Sequence, residues 1–230
     1  MFLGITLAGH AVSQDKSAPA KAVPPVEIKG HHIGETVQEF TIANGTPEQL
    51  QQCGDFLGDS STQKHYAKIK SSTSESDLKF KWRVDECIKL ADALSGEPTD
   101  FSPKFADHTQ ARMKFVGNKL VAIYLSFPET QPAVVPAGNF GPLLSFDEVL
   151  RDLTAKFGPP DTLGQRQMQN GFGAVFTFPV ASWTTRPDVR VYATEDQSEA
   201  VTHLTSVEIQ DRAYGDTILQ EQKDRPNALQ

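Results

Sequence analysis

Several short combinations in this 230-residue chain have the residue types that chemistry needs. Ser13–Lys16 (SQDK) and Ser61–Lys64 (STQK) both spell S-x-x-K, the spacing of an acyl-enzyme serine and its lysine. Neither is accompanied by S-D-N or K-T-G, so both are read as coincidences of a four-residue pattern. His31, His32 and Glu35 offer nitrogen and oxygen ligands, but not the i, i+4 histidine pair of a metalloprotease helix. They are read as loop residues. His203 falls on the apolar side of an alternating stretch, where a hydrogen-bonded core histidine is the simpler reading than a base. Asp147, Glu148 and Asp152 lie in or near the first turn of a helix, where acids complement the dipole. No G-x-G-x-x-G or Walker pattern is present. The sequence thus contains no recognisable catalytic motif, and it implies neither cofactor nor metal.

What survives is a charge pattern. Lys68 and Lys70 flank Ile69, Lys79, Lys81 and Arg83 alternate with Phe80 and Trp82, and Arg112 and Lys114 flank Met113. On strands, these seven of the 22 basic residues would share the outer face of one sheet. In a chain of net charge −7 such a cluster would attract an anionic partner. The acidic balance itself argues against general or sequence-specific nucleic-acid binding.

Two cysteines sit on inward helical stripes, Cys53 on that of a short helix and Cys87 on that of another. They have no CxxC spacing and too few companions for zinc, so a structural disulfide is expected. The opening MFLGITLAGHAVSQ has an apolar stretch and small residues before Gln14, as a signal peptide does, although it lacks a basic start. Export is therefore expected, to the periplasm or outside the cell. No stretch approaches the length of a membrane-spanning helix.

These residues need elements to position them. Ser145–Gly164 is the best defined: Ser145 and Glu148 form a capping box, and Phe146, Val149, Leu150, Leu153 and Phe157 make one apolar stripe. Gly158, Pro159 and Pro160 then stop the helix. Beyond it the period becomes 2: Gln165–Gln169 and Phe172–Phe178 flank the Asn170-Gly171 turn, followed by Asp188–Thr194 and Val201–Gln210. The first half shows a similar plan. Thr36–Leu50 lies on Val149–Leu163 without a gap, sharing Thr, Gly, Pro and Leu. Strands are expected at His65–Lys70, Leu78–Val84, Ala111–Val116 and Lys119–Phe127, with the Cys87 helix inserted between the two hairpins. In the second hairpin, Gly117-Asn118 forms the turn.

The opening IGETVQEF (Ile33–Phe40) resembles the start of the SmpA/OmlA outer-membrane assembly family. A tandem of helix plus four-stranded sheet is similar to the related β-lactamase-inhibitor-protein architecture. The resemblance implies an envelope or secreted module that binds another macromolecule with its sheet surface. The N-terminus carries no lipobox cysteine, a departure from the lipoprotein pattern.

The expected class is α+β, in two similar units, each a helix or helix pair packed on a four-stranded antiparallel sheet. Residues 1–25 form a signal-like segment and spacer, 26–128 the first unit, 129–142 a proline-rich linker, 143–212 the second unit and 213–230 a polar tail. The expected function is non-catalytic binding of a protein or anionic macromolecule in the envelope or outside the cell. The alternatives are a small-ligand carrier using the Phe172–Phe178 strand as a wall, or an enzyme whose residues, such as Tyr66, Trp183 and His203, meet only in the fold.

Overall fold

The computed structural model describes residues 26–43, 47–128, 142–169, 172–198 and 201–224. The described residues open with a short hairpin, β1 (Glu27–Ile28) and β2 (His31–His32), turned by Lys29 and Gly30, both at positive φ. Four helices follow: α1 (Val37–Ala43), α2 (Pro47–Gly58), α3 (Ser60–Lys68) and α4 (Glu75–Ser95). Three strands come next, β3 (Thr99–Phe101), β4 (Gln110–Val116) and β5 (Lys119–Pro128). Then come α5 (Phe146–Phe157), β6 (Thr162–Gln169), β7 (Val175–Trp183), β8 (Val189–Ser198), β9 (Val201–Asp211) and α6 (Arg212–Asp224).

The α+β class holds, in the form of one antiparallel seven-stranded sheet ordered β3-β4-β5-β9-β8-β7-β6. The strands of both halves join along β5 and β9, with Ala122 opposite Gln210 and Leu125 opposite Val207. On one face, alternate residues Met113, Ile123, Ile209, Val191 and Trp183 form a continuous buried row across the strands. Against this face pack Val37 and Phe40 of α1, Leu90 and Ala93 of α4, and Phe146, Val149 and Leu153 of α5, in one core. Phe40, Phe101 and Phe115 meet with ring centroids 5.2–5.5 Å apart.

The local chemistry read for α5 is present in full. Ser145 and Glu148 cap each other's backbone, and Gly158 ends the helix at φ 83°. The freed Gly158 carbonyl accepts the Trp183 indole N–H at 2.8 Å, which fixes the helix stop to β7. The β4–β5 turn has Gly117 and Asn118 at φ 59° and 64°, the left-handed pair that a two-residue hairpin requires. The Asn170-Gly171 turn lies outside the described residues, although Gln169 and Val175 on either side of it are paired.

Three expectations are corrected. First, His65–Lys70 and Leu78–Val84 are not strands. The former lies in α3 and the turn after it, and the latter lies inside α4. Ser74 caps α4 by accepting from the Asp77 amide, Gly96 ends it in the left-handed region, and Val84, Cys87, Leu90 and Ala93 are its buried stripe. Second, the first half contributes three strands, not four, and they share a sheet with the second half. The Thr36–Leu50 match also diverges after its glycine, because α2 begins where the aligned segment becomes β6. Third, 213–224 is helix, not tail. Most of the expected linker, residues 129–141, and the signal-like segment lie outside the described residues.

Candidate functional site

The seven basic residues do not form one sheet face. Lys79 and Arg83, four residues apart on α4, share a helix face, whereas Lys81 lies round the helix from them. Lys68 ends α3 and Lys70 follows it. Arg112 and Lys114 are on β4 and do alternate with Met113, but they point to the opposite side of the sheet from α1, α4 and α5. Cys53 and Cys87 are joined, with Cα atoms 5.2 Å apart, and the bond ties α2 to α4.

Part of the sheet side bearing Arg112 is left open by the described residues. Two cross-strand rows run over its four central strands. One row is Arg112–Tyr124–Glu208–Tyr192 and the next is Gln110–Ser126–Ser206–Thr194. They line a concavity of about 390 Å³. The Arg112 guanidinium lies 4.4 Å from the Tyr124 ring centroid. Burial, followed by the adjacent Glu208 carboxylate, pushes the Tyr124 phenol well above its ordinary value, so it stays a neutral donor. Gln210 donates to Glu208 at 2.5 Å and Arg190 donates to the Tyr192 hydroxyl at 3.4 Å. The rows are thus held by the neighbouring row Lys114–Ala122–Gln210–Arg190.

Helix α6 covers the Gln210–Arg190 end of that neighbouring row. Its Asp216 takes an ion pair from Arg190, and a Cβ at Gly215 would stand 2.7 Å from Gln210 Oε1 and 2.9 Å from Arg190 Cδ. Glycine is what lets α6 approach this closely. At the other border Arg166 and Asp196 pair at 2.9 Å, and Phe176 and Phe178 stack 6.3 Å apart. The open rows are therefore framed on both sides. No family model, curated protein or solved structure matches the chain. The surface itself is what its function is to be read from.

The other chemical candidates are accounted for by packing. His31 is buried and its Nδ1 lies 2.8 Å from Glu35 Oε1, while the other Glu35 oxygen accepts the His32 amide at 3.2 Å. The imidazole packs on Phe40, 5.0 Å between centroids, so this pair anchors the β1–β2 hairpin in the core. Among the described residues no cluster of three or more His, Cys, Asp or Glu could hold a metal ion. Tyr66 donates to Asp85 between α3 and α4, while Trp183 lies under α5, so the two do not converge. The His203 side chain lies outside the described residues. No helix among the described residues is long and apolar enough to cross a membrane.

Sequence reasoning found Arg112 but missed Tyr124, Tyr192, Ser206 and Glu208. Each occupies the outward position of an alternating strand. That signal was readable strand by strand. Their adjacency was not, because it depends on the β5-β9-β8 order.

Proposed function

We propose that this is an exported, non-catalytic binding protein that takes a protein partner on the open sheet face. One observation carries the reading: two contiguous rows rich in Tyr, Arg, Ser and Thr, over four hydrogen-bonded strands, are left uncovered by the other described residues. Antiparallel sheets routinely pack one face on the core and leave the other to solvent. Tyr and Arg, however, are the residues that dominate binding energy at interfaces, and Ser and Thr supply adaptable hydrogen bonds. A rigid strand scaffold presents them with little backbone ordering left to occur on binding. Arg112 and Lys114 at one border favour an acidic partner surface by complementarity. The Cys53–Cys87 bond fits an oxidising compartment, which supports a secreted or periplasmic location.

The test is affinity capture of the full chain, cross-linked in its own host, at low and high salt. Replacing Tyr192 and Arg112 by Ala is expected to abolish capture of a stoichiometric protein while moving the melting temperature little. The triple reversal Lys79→Glu, Lys81→Glu and Arg83→Glu, on the other side of the molecule, should leave that capture intact. Capture that is lost in the triple variant and kept in the sheet variant would refute the sheet reading.

A further inference from the structure

A second recess lies on the helix side of the sheet, independent of the open face. It is a groove of about 640 Å³ between α1, α2, α4 and the segment after β3, within the ~300–1,000 Å³ range of small-molecule sites. Its floor is apolar, made by Phe40, Leu90 and Phe101 beside the Cys53–Cys87 bond. Its rim is cationic: Lys79, Arg83 and Lys104 against one acid, Glu86. Trp82, 61% exposed, stands among them.

The charges on the rim are unequal in what they are free to do. Lys79 donates to Glu75 at 2.6 Å, and Glu86 accepts from Lys89 at 3.3 Å. The Arg83 guanidinium lies over Phe56 at 5.1 Å from the ring centroid, and the Lys104 ammonium lies 5.8 Å from that of Trp82. Neither meets a carboxylate among the described residues. Two cations steadied on aromatic faces, above an apolar floor, in a chain of net charge −7, describe a place for an anion with an apolar body.

We propose that this groove binds a free long-chain carboxylate, its tail along Phe40, Leu90 and Phe101 and its head between Arg83 and Lys104. A peptide fits less well, because its backbone N–H and C=O groups need partners. The groove is walled mainly by α1, α2 and α4, whose interior backbone groups are paired within each helix, and only the three-residue edge strand β3 could offer backbone partners. A flat bilayer would not reach the recessed floor. A neutral hydrocarbon would leave both cations unused.

Trp82 supplies the readout, since the other indole, Trp183, is buried at 2% exposure. Dodecanoate, titrated into the full chain below its micelle concentration, is expected to shift tryptophan emission to the blue saturably. The shift should vanish in Trp82→Phe. Dodecyltrimethylammonium should give no saturable response. The double variant Arg83→Glu/Lys104→Glu should weaken dodecanoate binding at least about tenfold, because like charge replaces complementary charge, with an unchanged thermal midpoint. The proposal is overturned by no saturable response, by an equal response to the cationic amphiphile, or by full affinity in the double variant. It is equally overturned if only anionic vesicles or an acidic amphipathic peptide elicit the shift.

Discussion

Single residues in this protein mostly act as ties between segments that sequence places far apart. Lys29, at the tip of the β1–β2 turn, pairs with Asp107 in the loop before β4. Asp107 also accepts from the Thr109 hydroxyl at 2.8 Å and the Thr109 amide at 3.2 Å. The Lys29 ammonium, with these Thr109 donors, holds its carboxyl down to about 2 from an ordinary 3.8. A depressed carboxyl contributes stability that is complete above its unfolded value and is lost as pH falls through the folded one. The tie should therefore hold at pH 4 and above and weaken between about pH 4 and pH 2. In urea titrations across that range, Asp107→Asn should lose less stability on acidification than the parent chain. Because the Asp107 side chain is 45% exposed, the difference should be small. Parallel acid limbs would show that the pair contributes nothing.

At the level of elements, the disulfide does for α2 what the sheet does for the strands. α2 packs chiefly on α4, and the Cys53–Cys87 bond closes a separation of 34 residues. Replacing both cysteines by serine is expected to cost roughly 4 kcal/mol in the chain-entropy picture. Hydrogen exchange should rise first in α2 (Pro47–Gly58), since that helix would lose its covalent anchor. An unchanged urea midpoint and unchanged α2 protection would mean that packing alone holds it. The bond was legible in the sequence, and so were α5 with its cap and stop, the Gly117-Asn118 turn and all four C-terminal strands. The segment Leu78–Val84 was not, and the reason is physical. LKFKWRV alternates over seven residues, yet Phe80, Val84 and Cys87 also keep helical spacing. The deciding signals lay outside the window: Ser74 with Asp77 at the start and Gly96 at the end define a 21-residue helix. Once α4 is a helix, Lys79 and Arg83 stay together and Lys81 leaves them. A predicted basic sheet face thereby becomes the rim of a groove. Trp82, on the same helix, and Lys104, from the segment after β3, complete that rim, and no periodicity reveals that this segment lies beside α4.

For the whole molecule, the junction of β5 with β9 decides how the chain behaves. Two separate units would each own a sheet and a core. Here Ile123 of the first half and Ile209 of the second are direct neighbours, both fully buried, in a core that also holds Phe40 and Trp183. Splitting the halves would expose the hydrogen-bonding edge of β5 and the apolar side of both strands, a configuration prone to edge-to-edge association. Residues 26–128 and 143–212 are therefore expected to unfold together. Far-ultraviolet circular dichroism, weighted towards helices α1 to α4, and fluorescence of the buried Trp183 in a Trp82→Phe background should give one urea midpoint. The segment 26–128 alone should be insoluble or unfolded. Two well-separated midpoints, or a monomeric folded 26–128, would mean that the β5–β9 seam is an interface between independent domains. The open rows, which cross that seam from Arg112 to Tyr192, would then belong to a surface able to come apart. If a single midpoint is found, those rows form one rigid surface, because the same hydrogen bonds that make the fold cooperative hold Tyr124, Glu208 and Tyr192 side by side.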